Sequence, residues 1–380
     1  QIGSGKKLYM DSALYTKTQF TSMLGFDPLS EAPALPTPTP TQTPTQTPTP
    51  TPTPGAMKIK IETGDNGVLG FMAMANPVAI SIDNHRSGDE IRVDYGDGSF
   101  VKTFDDSNLT NAGPDGSISL GSYMYDVPGT YTISLSGDVR AIKWPLHPNQ
   151  LLAVEDWGEV PLESLESTFE NASALKSVPD YLPTTCTNLQ SAFSNASDFN
   201  DDSISSWDVS RVTNMADMFT GALNFNQSLA DWKPFKVTTF ADMFKGALKF
   251  NQDVTSWYTG LATDMSGMFH GATSFNQNIG DWNLKSLENA QRMFDGATAL
   301  TKYDDILIGF ANSQSDIPSD ITFGAEGIGS TLASKDARQK LQTTHNWTLV
   351  DAGCSECTPT PSPTPTDVIP PDVPQPTSTT

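Results

Sequence analysis

The sequence predicts a mainly β chain with short helices, in which an antiparallel β-sandwich precedes a solenoid of stacked coils and Pro/Thr-rich extended linkers flank the whole. Three observations carry that expectation. Between Met57 and Arg140 apolar and polar residues alternate in short runs separated by turn residues, the two-residue period of half-buried strands. From Leu162 to Leu300 phenylalanines recur at Phe169, Phe193, Phe219, Phe244, Phe269 and Phe294, with spacings of 24, 26, 25, 25 and 25. A fixed period in this range marks a solenoid. Proline and threonine crowd into two tracts outside these regions, and such tracts build no core.

Residues 1–34 make a mixed segment, from Tyr9-Met10-Asp11 to Phe26-Asp27-Pro28, too short to bury much surface alone. It is expected to anchor the chain on another body. Residues 35–56 form the first linker, whose repeated prolines fix φ and remove donors, so an extended spacer without regular hydrogen bonding is expected. Its threonines suit either a bare spacer or one carrying O-linked sugar.

The β-sandwich is assigned to residues 57–143. Lys58-Ile59-Lys60-Ile61-Glu62 and Val78-Ala79-Ile80-Ser81-Ile82 alternate as strands. Glu90 to Tyr95 runs into Gly96-Asp97-Gly98, a tight-turn signal, with the strand expected to resume at Ser99-Phe100-Val101. Tyr123-Met124-Tyr125 precedes the turn Val127-Pro128-Gly129, and Thr130 to Ser136 alternates again. Several short strands with regular turns argue for a sandwich. Val93-Asp94-Tyr95-Gly96-Asp97-Gly98-Ser99, with Tyr125 and Pro128-Gly129-Thr130-Tyr131-Thr132-Ile133, resembles the PKD-like β-sandwich, although Tyr95 stands where that family usually has Trp or Phe. The resemblance implies a spacer or binding module.

The solenoid is assigned to residues 144–300. Trp207, Trp232, Trp257 and Trp282 follow the phenylalanine register, as do Gly221-Ala222, Gly246-Ala247, Gly271-Ala272 and Gly296-Ala297. One coil therefore turns Val212, Met215, Met218, Phe219, Ala222, Phe225, Leu229 and Trp232 inward, and the next turns in Val237, Phe240, Met243, Phe244, Ala247, Phe250, Val254 and Trp257. No coil buries its apolar edge alone, so stacking makes one continuous core. Each coil is expected to hold one short strand. The Asn-Gln pairs 226–227, 251–252 and 276–277 are placed to bond adjacent loops as an amide ladder. Cys186 falls at the position of Val212 and reads as a buried apolar thiol. In the first two coils Leu165 and Leu189 replace Met and the Asn-Gln pair is missing or reads Asn200-Asp201, so an N-terminal cap is expected there.

This repeat, Val212 to Ala222 through Phe225-Asn226-Gln227 and Trp232, is similar to the BspA-type leucine-rich-repeat family with its mycoplasma-lipoprotein-type repeats of about 25 residues. Residues 301–353, with Tyr303 to Phe310, Ala337 to Leu341 and Asn346 to Gly353, resemble that family's C-terminal α/β cap. The resemblance implies a leucine-rich-repeat-type solenoid, a surface location and adhesion, and carries over no enzymatic residue. Residues 354–380 contain Cys354-Ser355-Glu356-Cys357 and the second Pro/Thr tract. That pair is open between a local disulfide and idle thiols, because a zinc site needs further ligands and His345 alone lies near.

Composition narrows the partners. Lys plus Arg number 22 against 44 Asp plus Glu, and a formal charge of −22 repels phosphate backbones and anionic lipid. Nucleic acid is therefore excluded as an expected partner. No window reaches the roughly 18 apolar residues of a membrane span. The acidic pairs Asp105-Asp106, Asp201-Asp202 and Asp304-Asp305 lack an accompanying His, nucleophile motif or phosphate loop, so they read as solvated loop acids. Asp105, Asp106, Asn108 and Asp115 lack a complete calcium spacing. The sequence thus predicts no catalytic, cofactor-binding or metal residue. It predicts a non-enzymatic extracellular, cell-surface or virion-surface protein, an appendage or filament component or a bacterial adhesin, whose partners are a cell-surface protein or glycan or other subunits of the same particle. Candidate contacts on the repeats are Phe235, Tyr258 and His270, which stand outside the periodic pattern.

Overall fold

The computed structural model describes residues 8–10, 13–15, 55–63, 78–83, 89–105, 107, 118–312 and 317–355. The chain divides into two compact units, Gln1–Thr49 and Pro50–Thr380. In the first, β1 (Leu8–Met10) pairs antiparallel with β2 (Ala13–Tyr15). The linker at 35–54 and the tract from Thr358 onward lie outside the described residues.

The second unit is mainly β with few short helices. It begins with β3 (Met57–Thr63), β4 (Val78–Asp83), β5 (Ile91–Asp94), β6 (Lys102–Phe104), β7 (Ile118–Tyr123), β8 (Gly129–Gly137), β9 (Ala141–Leu146) and β10 (Leu151–Asp156). These form two antiparallel sheets, ordered β10-β3-β8-β5-β6 and β7-β4-β9. Alternation sends Ile59 and Ile61, Ile91 and Val93, and Ile133 and Leu135 into the core beside Ile80, Ile82 and Ile142. The strand expected at Ser99 resumes only at Lys102, with Val93 facing Lys102. Between them Gly96 and Gly98 take φ of 74° and 84°, and the Asp94 and Asp97 carboxylates accept from the N–H of Gly96 and Ser99. β5 and β6 form the expected hairpin, but two local turns lengthen its connection.

The division expected between residues 143 and 144 falls inside β9, and β10 adds to the edge of the five-stranded sheet, so the sheets extend to Asp156. β10 also begins the repeat array. Ala153 forms a parallel bridge to Ser177, Val154 N–H donates to Ser177 O (3.0 Å) and Lys176 N–H to Leu152 O (2.8 Å). Beside this shared strand the buried Arg140 pairs with Asp138 (2.9 Å) and with Glu163, and its carbonyl accepts from the N–H of Glu163 and Ser164. Sheets and repeats accordingly share one buried apolar cluster.

Successive repeats are joined by single parallel bridges, Ser164 to Asn188, Asn214, Thr239, Asp264 and Asn289 in turn. The strand expected in each coil is reduced to that one residue. Three positions later Ser167, Ser191, Asp217, Asp242, Gly267 and Arg292 take φ between 53° and 58°, which ends the extended run. Cross-coil bonding nevertheless continues from alternate N–H groups: Met215 to Thr239 O, Asp217 to Ala241 O, Phe219 to Met243 O and Gly221 to Lys245 O, at 2.7–3.2 Å.

Side chains repeat with the backbone. Phe169, Phe193, Phe219, Phe244, Phe269 and Phe294 are fully buried, and from Phe193 onward their centroids lie 5.5–5.7 Å apart with nearly parallel planes. A second column, Phe199, Phe225, Phe250 and Phe275, stacks beside it at 5.9–6.3 Å. Trp207, Trp232, Trp257 and Trp282 are buried as well, each donating Nε1–H to a carbonyl of the preceding coil, of Pro179, Ile204, Leu229 and Val254. The first two coils keep the same bridges and buried leucines, so the cap expected of them is supplied instead by β10.

At the far end stand α1 (Tyr303–Asn312), β11 (Thr322–Ala325), α2 (Lys335–Thr344) and β12 (Thr348–Asp351). β11 takes the place of a further coil, because Phe323 bridges Ala290 and Phe294 N–H donates to Gly324 O; β12 pairs parallel to β11. Both ends of the array are thus closed by strands of other elements.

Cys354 is disulfide-bonded, and Cys357 lies outside the described residues. Cys186 is free, and burial pushes its thiol up to about 12. Almost no thiolate exists there at neutral pH. We expect the native chain to leave Cys186 unlabelled by Ellman's reagent and denaturant to expose it; rapid native labelling would mean that the second coil opens.

Candidate interaction surface

The most regular polar feature of the array is an asparagine column at the turn after the second phenylalanine. Asn200, Asn226, Asn251 and Asn276 each accept, through Oδ1, from the backbone N–H one coil on, of Asn226, Asn251, Asn276 and Thr301, at 2.8–3.0 Å. Gln227, Gln252 and Gln277 donate Nε2–H to the carbonyls of Asn200, Asn226 and Asn251. These amides hold turn to turn. A second column, Asn171, Asn195, Gly221, Gly246, Gly271 and Gly296, has φ of 57–72°, the left-handed region that glycine and asparagine tolerate best. Periodic polar residues are thereby committed to the backbone, and surface chemistry falls to residues outside the columns.

Two exposed groups stand out among those. On the repeats, Phe235 and Tyr258 are half exposed with rings 6.1 Å apart, and Leu261 is exposed three residues beyond Tyr258. At one end of the two sheets the connections 95–101 and 124–128 meet. Tyr95 and Tyr123 stack at 3.8 Å, Tyr125 stands edge-on to both, and Tyr131 stacks on Tyr125 at 4.1 Å. Lys102 places its ammonium 4.9 Å from the Tyr123 ring centre and 5.3 Å from that of Tyr95. Tyr125 donates to Tyr95 O and Tyr123 to Asp97. Burial, and then the neighbouring Tyr123, pushes the Tyr95 phenol up to about 12, so it stays neutral. In the same two connections Phe100 is 95% exposed, and Met124 and Val127 are exposed as well. Sequence reading placed Phe100 in the resuming strand and Met124 ahead of a turn, with Val127 alone inside one; because the strand starts only at Lys102, Phe100 stands in the connection instead.

The acidic pairs are spread through the fold. Asp105 caps Ser107, and Asp106, Asn108 and Asp115 lie outside the described residues. Asp201 accepts from Val178 N–H and from Ser203, and Asp304 from Thr331 and Ser334, each tying its loop or helix start to a neighbouring segment. His270 contacts the Arg292 guanidinium at 3.0 Å, and its pKa is lowered by partial burial and then by that charge. Among the described residues no three His, Cys, Asp or Glu side chains gather in a way that could hold a metal. No helix among them is long and apolar enough to cross a membrane.

The repeats match a family model described as "Mycoplasma protein of unknown function, DUF285", over residues 163–277 and again over 187–306. The matched span is the repeat array, the region whose register resembles the BspA-like mycoplasma repeat type. No curated protein and no solved structure matches the chain.

Proposed function

We propose that this chain works by attachment and not by turnover, as a non-enzymatic, surface-displayed structural or adhesion protein presented on its Pro/Thr spacers. The apolar tip at Phe100, Met124 and Val127 carries this reading. Large apolar side chains left in water on two adjoining connections make a contact surface for a partner. The finer fold readings belong with it. The two antiparallel sheets with the Asp-Gly turn support a PKD-like sandwich; the single bridges, stacked phenylalanines and capped ends support a BspA-type leucine-rich-repeat solenoid with an α/β cap. The terminal segments and linkers would tether this body to a virion appendage or extracellular filament. The repeat match favours a second setting for the same activity, a cell-surface adhesin, because the matching model is described from a cellular organism.

Beads coated with the full chain should bind to a target surface, and Phe100→Ser combined with Val127→Ser should lower that binding at least about tenfold, as for loss of an apolar hot spot. Both positions are exposed, so Tm should hold. Binding unchanged by the pair removes the tip from the reading, and turnover of a substrate by the purified chain would overturn it.

A further inference from the structure

Where the three-stranded sheet meets the first coil, a cleft of about 350 Å³ opens, a size at the lower end of small-ligand sites. Trp144, Pro145 and Pro148 form its apolar wall, with Ser81 from β4 and Ser167 and Glu170 from the first coil. Lys143 and Asn171 complete the lining; Asn171 already accepts from Asn195, and Lys143 has a partner of its own. Two of these groups are unused by the fold. Trp144 is only 7% exposed, yet among the described residues its buried Nε1–H finds no acceptor, unlike the repeat tryptophans, each of which has one. The half-buried Glu170 carboxylate receives no hydrogen bond from any described group.

An unpaired buried donor is unfavourable, and since the Trp144 N–H is closed to solvent, a ligand meets it only when the indole shifts toward the cleft, a shift that an incoming acceptor favours. The cleft therefore calls for a ligand that both donates, to Glu170, and accepts, beside Trp144, while offering an apolar face to the indole and prolines. We propose that it binds a neutral pyranose ring at the end of a glycan. Sugar hydroxyls donate and accept at adjacent positions, and the C–H face of the ring packs on aromatic and proline surfaces. A proline-rich peptide fits less well, since proline carries no N–H and would leave the carboxylate without a donor. Acidic sugars are disfavoured by Glu170 and by the formal charge of −22. This site deepens the attachment reading and rests on it for its purpose, but it lies apart in sequence from the tip residues and has its own readout.

The test titrates the full chain with neutral monosaccharides and disaccharides, glucose, galactose, mannose and N-acetylglucosamine among them, by saturation-transfer NMR and calorimetry. At least one should bind, and Glu170→Gln should weaken it roughly 10–100-fold, the loss of a charge-assisted hydrogen bond. Trp144→Phe, which keeps an aromatic ring and removes the N–H, should also weaken it. Glu170 lies on the surface, so its variant should keep the wild-type Tm. Absence of binding by every neutral sugar would overturn the proposal, as would a sugar bound equally by wild type and both variants. Binding of a Pro-Thr repeat peptide in place of sugar would assign the cleft to peptide. If sugars fail while coated beads still attach, the cleft proposal falls and the attachment reading stands; sugar binding without bead attachment gives the reverse.

Discussion

Replacing Phe244 with Ala should destabilise the second unit by roughly 3–5 kcal/mol, the usual loss for a buried aromatic. Phe244 has no solvent exposure and stacks on Phe250 at 3.8 Å and on Phe219 and Phe269 at 5.7 Å. The cavity would therefore open in the middle of both phenylalanine columns, where the ladder on each side resists collapse. A fall in Tm of roughly 6–20 °C follows from the usual dependence of Tm on stability. Leu248→Ser, at an exposed position one turn away, is the control and should stay within about 0.5 kcal/mol. Because β10 belongs to both the five-stranded sheet and the array, the loss should appear in a single transition covering sheets and repeats. Two separated transitions by calorimetry would show that the shared strand does not couple them.

Asp351 is the second sensitive point. Its side chain, 1% exposed, accepts from both Arg338 nitrogens, from the Tyr303 hydroxyl at 2.6 Å and from Gly353 N–H at 2.9 Å. It joins α1, α2 and the end of β12. Asp351→Ala would leave the Arg338 charge, 12% exposed, without its partner, and removing one member of a buried pair costs about 3–5 kcal/mol. The same residue gives the cap a pH dependence. Burial alone would raise its pKa, but the hydrogen bonds from Arg338, Tyr303 and Gly353 outweigh that and hold the carboxyl below its ordinary value. A carboxyl depressed on folding contributes stability that is fully present above its unfolded value, about 3.9, and is lost as pH falls through the lower folded value. The stability difference between wild type and Asp351→Asn should therefore be constant near neutrality and shrink below about pH 4. A difference that grows on acidification would contradict the assignment.

What the sequence by itself determined is whatever repeats. The 25-residue register specified the buried phenylalanines, tryptophans and alanines and the asparagine turns, because each coil meets a copy of itself and one position's environment is reproduced along the stack. Alternation likewise located the apolar faces of β3, β5 and β8. The non-repeating relations were decided by tertiary structure. Nothing in Leu151–Asp156 reveals that one strand serves both a sheet edge and the first coil, since the same alternation satisfies either neighbour. The reduction of each expected strand to one bridge depends on left-handed φ at Ser167, Asp217 and Arg292, residues whose identity does not demand it. The cleft beside Trp144 joins residues from β4, β9 and the first coil, and the tip joins two connections distant in sequence. Periodicity encodes what a segment does next to its own kind; where unlike segments meet, the partner is chosen by chain topology, and only the folded arrangement brings those side chains together.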